Sequence, residues 1–143
     1  MVGVIVTGHG NFASGICSSV NLIMGNQDKL EIVDFIETYT VENLYEELDK
    51  KMNRLSDCNE IIVLSDLTGG SPFKTAVEVG MHRDQTVEVI GGCNLGMLIE
   101  VLMSRKFVDS LDSLVERCIE AGKQQISKFE LVRHCDENQG EGI

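Results

Sequence analysis

Residues 2–24 read VGVIVTGHGNFASGICSSVNLIM, and this stretch decides the fold. The nearly continuous apolar, β-branched run at residues 2–7 predicts a strand that is buried on both faces. Apolar side chains of residues 12–24 recur at the spacing of one helical face, which predicts an α-helix. The glycines around His9 predict a loop between the two. A strand followed directly by a helix is the first half of a βαβ unit, in which the next strand lies parallel to the first.

The alternation of strands and helices continues along the chain. Further strands, rich in Val and Ile, are predicted at residues 30–35, 61–65 and 86–90. Further helical patterns cover residues 41–55 (with Thr40 as N-cap), about 72–82, 95–103 and 111–119. The predicted fold class is therefore α/β, with an open, mainly parallel four-stranded sheet and helices on both faces.

The end of the chain is less regular than the rest. Residues 126–132, ISKFELV, fit either the end of the last helix or an additional strand, and periodicity leaves both open. Residues 136–143 are polar and are expected to form a flexible tail. A length of 143 residues fits one domain, which we place at residues 1–135.

Composition and charge argue against several classes of protein. The formal net charge of −11, with no cluster of Lys and Arg, disfavours binding to nucleic acid. The apolar run at the start is too short to cross a bilayer and no basic leader precedes it, so we expect a cytoplasmic protein. The five cysteines form no CxxC pair, which is typical of free thiols and not of a disulfide framework or a zinc site.

Three loops that follow predicted strands have an unusual composition. They are GHGN at residues 8–11, DLTGGSP at residues 66–72 and GGCN at residues 91–94. In open α/β sheets, ligands bind beyond the carboxyl ends of the strands. If the first and third strands are neighbours, about 5 Å apart, His9 and Asp66 face each other across one crevice.

These residues suit phosphoryl transfer when they act together. Asp66 would fix the tautomer of His9 and leave the other ring nitrogen free to attack. The N–H groups where the loop enters the helix at Pro72 would bind phosphoryl oxygens. The candidate catalytic residues are thus His9 and Asp66, the candidate phosphoryl-binding residues are Gly70, Ser71 and Gly10, and no metal or organic cofactor is needed. Taken singly, a loop histidine is more often a surface residue and a glycine-rich loop more often a turn.

Three motifs in order give the chain a family resemblance over about residues 2–125. VGVIVTGHGNFASGI, LSDLTGGSPFKTA and VIGGCNLGMLIEVLM resemble the enzyme IIA domain of the mannose family of the bacterial phosphoenolpyruvate-dependent sugar phosphotransferase system. The resemblance implies that His9 accepts a phosphoryl group from the histidine phosphocarrier protein and passes it to enzyme IIB for carbohydrate uptake. Asp66 resembles the family's partner of that histidine, and the Gly70 and Ser71 amides resemble its phosphoryl-binding groups.

The resemblance also carries expectations about assembly. It implies a homodimer that exchanges a C-terminal strand, for which residues 126–132 are the candidate, and contact with the membrane only through the transporter complex. The transported sugar is not indicated, because this domain does not touch it. Two positions depart from the family: Lys74, where Asn is frequent, and Gly96, where Pro is frequent. Lys74, one turn into the helix, fits either a positive charge near the site or a solvated helix lysine.

Two other functions remain as alternatives. The phosphoryl-transfer subunit of dihydroxyacetone kinases shares the fold and the early histidine, although its second loop usually lacks GGSP. A nucleotide-binding domain is suggested by the spacing of Gly8, Gly10 and Ala13 after a strand, with Asp34 where a ribose-binding acid belongs. The second alternative leaves the DLTGGSP loop unexplained.

Overall fold

Strands and helices alternate along the chain in the structure, a computed structural model that describes residues 1–132. In chain order the elements are β1 (Gly3–His9), α1 (Phe12–Met24), β2 (Leu30–Phe35), α2 (Val41–Arg54), β3 (Glu60–Ser65), α3 (Ser71–Met81), β4 (Thr86–Ile90), α4 (Leu95–Ser104) and α5 (Leu111–Gln124). The predicted tail at residues 136–143 and the predicted domain end at residue 135 lie outside the described residues.

The strands form a parallel sheet in the order β2-β1-β3-β4, which confirms the predicted fold class. The first and third strands are neighbours, so the condition for His9 and Asp66 to face each other is met. Successive side chains of a strand point to opposite faces. Accordingly, Val4 and Val6 of β1 belong to the core beneath α1, α4 and α5. Ile5 belongs to the core beneath α2 and α3. The two central strands are therefore covered on both faces.

The first strand is longer than its sequence predicts. The sequence predicts a loop from Gly8, but β1 continues to His9 because β2 pairs with it as far as Gly8↔Asp34 and His9↔Phe35. A bridge between Gly10 and Phe35 follows immediately. His9 is thus the last residue of a central strand, and the neighbouring strand fixes its backbone.

The predicted start of α2 is confirmed in detail. Thr40 Oγ1 accepts a hydrogen bond from the Asn43 N–H at 3.1 Å, and Asn43 Oδ1 accepts one from the Thr40 N–H at 3.0 Å. This reciprocal pair is a capping box, which satisfies two N–H groups at the start of the helix. It anchors the segment that leads from the end of β2 into α2.

Residues 126–132 pack against little of their own chain. The last helix ends at Gln124, so the helical alternative for this segment is wrong, and the described residues give it no strand partner either. The side chains of Ile126, Phe129 and Leu131 are 81%, 83% and 74% exposed. Among residues 1–132, no helix combines the length and the apolar character needed to span a membrane.

Candidate active site

His9 and Asp66 meet at the carboxyl ends of the two central strands, as the sequence predicts. His9 closes β1, and Asp66 directly follows β3. His9 Nδ1 lies 2.8 Å from Asp66 Oδ2, and the same oxygen accepts a hydrogen bond from the His9 backbone N–H at 2.9 Å. One carboxylate oxygen therefore holds both the backbone and the ring of the histidine. This double contact fixes the ring orientation.

Asp66 is held in its charged form by its hydrogen bonds. Partial burial would raise the pKa of its carboxyl group, but the His9 backbone N–H, the His9 ring and the Leu67 N–H lower it, and the net pKa lies below the usual aspartate value. Leu67 donates to Oδ1 at 2.8 Å, so each oxygen has a backbone donor. An ionised Asp66 requires the proton of a neutral His9 ring to reside on Nδ1.

The other ring nitrogen of His9 faces the glycine-rich loop. The His9 side chain is 45% exposed, against 13% for Asp66, and within residues 1–132 Nε2 makes no hydrogen bond. A Cβ atom built on Gly70 would lie 2.9 Å from His9 Cε1 and 3.7 Å from Nε2. Only glycine lets the loop approach the ring edge this closely. With Nδ1 protonated, the Nε2 lone pair points into an open space beside Gly70.

Gly70 and Ser71 form the amino-terminal end of α3. Gly70 is the N-cap, has no side chain to satisfy the first N–H groups, and accepts the Lys74 N–H at 2.9 Å through its carbonyl oxygen. Pro72 in the first turn brings no N–H. The first N–H groups of a helix lack intrahelical acceptors and carry the positive end of its dipole. This helix end suits an anion attached to His9 Nε2.

Gly10 takes a different part from Gly70 and Ser71. Its N–H donates to the Phe35 carbonyl oxygen at 2.8 Å, so this donor is already engaged in the structure. Its φ of +57° lies in the left-handed region that favours glycine. Gly10 therefore turns the chain from β1 towards α1 directly after the histidine.

Phe35 is a contact of the site that the sequence reasoning missed. Its ring centroid lies 6.0 Å from that of His9, at an interplanar angle of 55°. Its position at the end of the second predicted strand could have indicated this contact, since all parallel strands end at the same edge of the sheet. Phe35 forms one wall beside the imidazole.

Asp34, the candidate ribose-binding acid of the nucleotide alternative, is engaged elsewhere. Its Oδ1 accepts the Ser14 N–H at 2.9 Å, close to the start of α1, where Asn11 forms no side-chain cap. A carboxylate at this place compensates an N–H group that has no acceptor in its own helix. Its geometry is that of a helix cap.

The loop after β4 supports the site from behind. The Cys93 N–H donates to the carbonyl oxygen of Ser65, the last residue of β3, at 2.9 Å. Burial, and then the neighbouring Cys118, Cys17 and Asp66, raise the pKa of the Cys93 thiol to about 12, so it stays protonated at neutral pH. The four cysteines in the described part of the chain are free and buried. Residues 1–132 also contain no group of three or more metal-ligating side chains.

Comparisons with known proteins show the family and the fold of this chain. The family model EIIA-man, described as the PTS system fructose IIA component, matches residues 3–119. The chain is 30% identical over 114 residues to the fructose-specific EIIA component of the phosphotransferase system of Bacillus subtilis, covering 80% of this chain and 77% of that protein. It is 29% identical over 125 residues to the mannose-specific EIIAB component of Escherichia coli, covering 87% of this chain. The chain spans only 38% of the length of that E. coli relative.

A solved structure is similar over almost the whole described fold. The phosphotransferase system component EIIA from Streptococcus agalactiae superposes with a TM-score of 0.83 at 33% sequence identity. The match covers 90% of this chain and 97% of that one. Sequence and fold thus point to the same family.

Proposed function

The chain belongs to the EIIA-man family of phosphotransferase-system IIA components, which carry phosphoryl groups for sugar uptake, and on this basis we propose a reaction for its own residues. His9 accepts a phosphoryl group on Nε2 from the histidine phosphocarrier protein and passes it to enzyme IIB. The observation that carries the proposal is the 2.8 Å contact between His9 Nδ1 and Asp66, because it leaves Nε2 as the nucleophile.

The transfer step follows from this geometry. The Nε2 lone pair attacks phosphorus in line, the nitrogen–phosphorus bond of the donor phosphohistidine breaks, and its electron pair returns to the donor nitrogen. The His9 ring then carries a positive charge, with its Nδ1 proton still bonded to Asp66. The ionised Asp66 stabilises this charge without accepting the proton.

The helix end would act on the phosphoryl group itself. Its oxygens spread negative charge towards Gly70 and Ser71, at the amino-terminal end of α3, which does not have to reorganise when the charge arrives. Gly10 contributes through the turn that follows His9. The second transfer, to enzyme IIB, is the same displacement in the opposite direction. It needs no metal or organic cofactor, because phosphohistidine is already an activated donor.

The proposal includes a homodimer formed by exchange of residues 126–132. Three apolar residues of this segment, Ile126, Phe129 and Leu131, are largely exposed in the single chain. The strand β4 lies at the edge of the sheet, where a further strand can add. The molar mass from light scattering, compared for the full chain and for a chain truncated after Gln125, tests this. The full chain should be a dimer and the truncated chain a monomer. If the truncated chain is also a dimer, the exchange is refuted.

The carrier reaction is tested by incubating the protein with phosphoenolpyruvate, enzyme I and the phosphocarrier. We expect acid-labile, base-stable phosphate on the wild type and none on His9→Ala. His82→Ala is the matched control, because His82 is an exposed histidine at the end of α3. Phosphate retained on His9→Ala, in a chain that keeps its helical circular dichroism, would refute the assignment. In the cell, the carrier is expected to work in the cytoplasm and to meet the membrane only through its transporter.

A further inference from the structure

Lys74 is an exposed cation one helical turn after Gly70. Its backbone N–H is bonded to the Gly70 carbonyl oxygen, which places it in the first turn of α3. No salt bridge found in residues 1–132 includes its ammonium group. Glu78, four residues further along the helix, is also outside these pairs. The charge of Lys74 therefore has no structural counterpart in the described chain.

Helix formation does not account for a lysine at this position. The amino-terminal end of a helix carries partial positive charge, so it attracts anions and repels cations. A lysine in the first turn is consequently unfavourable for α3, and its exposed side chain adds little packing. Residues that contradict local preferences in this way concentrate at functional sites.

The backbone of α3 places Lys74 one turn away from the loop residue that approaches His9. Side chains on an α-helix lean towards its amino terminus, over the preceding turn. Gly70 is the N-cap of α3 and stands at the start of that preceding turn. The Cβ position of Gly70 is 3.7 Å from His9 Nε2. A lysine side chain, with its four-carbon stem, is long enough to reach across one helical turn of about 5.4 Å towards a group attached to that nitrogen.

We propose that the Lys74 ammonium group binds the phosphoryl oxygens on His9 Nε2, an inference that rests on the proposed function. The phosphoryl dianion and the ionised Asp66 carboxylate lie on opposite sides of one imidazole ring and repel each other. Lys74 offsets this repulsion from the solvent side, while the N–H groups of α3 act from the helix side. The lysine is thus a phosphoryl-binding residue that favours the phosphorylated form of the carrier.

The test measures the phosphoryl group itself in Lys74→Met, Lys74→Arg and Lys50→Met. Lys50 is the matched control, since it is an exposed helix lysine outside the salt bridges and lies towards the far end of α2. A cation at about 4 Å in water should shift the second phosphoryl pKa by about 0.7 unit and the transfer equilibrium about five-fold. In Lys74→Met we expect a phosphorus NMR titration to show the pKa raised by this amount. We also expect about five-fold less phosphoprotein at equilibrium with the phosphocarrier.

The other variants decide between explanations. Lys74→Arg should keep the wild-type phosphoryl pKa, and Lys50→Met should leave both quantities unchanged. A phosphoryl pKa in Lys74→Met equal to that in Lys50→Met overturns the role of Lys74, even if the transfer rate falls, because the lysine would then act on the partner protein. That result leaves the proposed function intact, whereas an absence of phosphate on wild-type His9 refutes the proposed function itself.

Discussion

Replacing Asp66 by asparagine removes the charge beside His9 and keeps the size of the side chain. In the wild type, one carboxylate oxygen lies 2.8 Å from His9 Nδ1 and accepts the His9 backbone N–H as well. The asparagine oxygen can still accept hydrogen bonds, but the amide is neutral. The positive charge that forms on the ring during transfer then loses its counter-charge.

The magnitude follows from the separation and the exposure of the pair. Unit charges about 4 Å apart attract by about 4 kcal/mol at an effective dielectric constant near 20. The His9 side chain is 45% exposed, so solvent screening reduces this to about 1.5–3 kcal/mol. If the transition state carries most of this charge, transfer in Asp66→Asn should be about 10- to 100-fold slower.

Rapid-quench measurement of a single transfer from the phosphocarrier gives this rate directly. Asp84→Asn is the charge-matched control, because Asp84 is exposed in the segment between α3 and β4, and it should transfer at the wild-type rate. Both variants should show a cooperative unfolding transition in denaturant, which indicates that they keep the native fold. A folded Asp66→Asn protein with an unchanged transfer rate would remove the carboxylate from the mechanism.

Three further predictions concern the glycine-rich loop, a buried arginine and the titration of Asp66. In Gly70→Ala, the new Cβ would lie 2.9 Å from His9 Cε1 and displace the ring. The rate of phosphorylation should then fall by about ten-fold or more, as expected for a misplaced reacting group. The control is Gly15→Ala in α1, which has open space around it: it should keep the full transfer rate and raise the free energy of unfolding in urea by about 0.5–1 kcal/mol. Arg105→Met should lower the free energy of unfolding in urea by about 2–4 kcal/mol, because the buried guanidinium donates to three backbone carbonyl oxygens that precede β1 and β2. An unchanged urea midpoint would contradict this role. Folding lowers the pKa of Asp66, so its stabilising contribution is present above the unfolded pKa near 3.8 and is lost as the pH falls through the folded pKa. The free energy of unfolding, measured down to acid pH, should therefore decrease less in Asp66→Asn than in the wild type. Equal decreases in the two proteins would refute this linkage.

Most of the fold could be predicted because the local pattern and the tertiary packing agree. The helix at Phe12–Met24 and the strand at Leu30–Phe35 have the predicted bounds, since apolar periodicity and burial coincide there. The end of β1 could not be predicted in the same way. Gly8 and Gly10 are weak strand formers, and only pairing with β2 extends the strand to His9. Long-range pairing thus overrides local preference at the site.

The residues of the candidate site and the meeting of His9 with Asp66 could be predicted from the sequence, but the finer geometry around them could not. Three strand-end loops with His9, Asp66 and a glycine-rich helix start are visible in the sequence, because parallel strands bring their ends together. The hydrogen bond from the Gly10 N–H to Phe35 and the position of the Phe35 ring beside His9 depend on the register of β2, which cannot be derived from the sequence. The choice between Nδ1 and Nε2 likewise depends on the ring orientation that Asp66 imposes.

Identifying which ring nitrogen of His9 carries the phosphoryl group is the most direct test of the mechanism. The protein is labelled with nitrogen-15 in its histidine side chains and phosphorylated. Long-range proton–nitrogen NMR spectra then identify the modified nitrogen. We expect phosphorus on Nε2 of His9, with Nδ1 still protonated and bonded to Asp66. Phosphorus on Nδ1, or on a residue other than His9, would contradict the account.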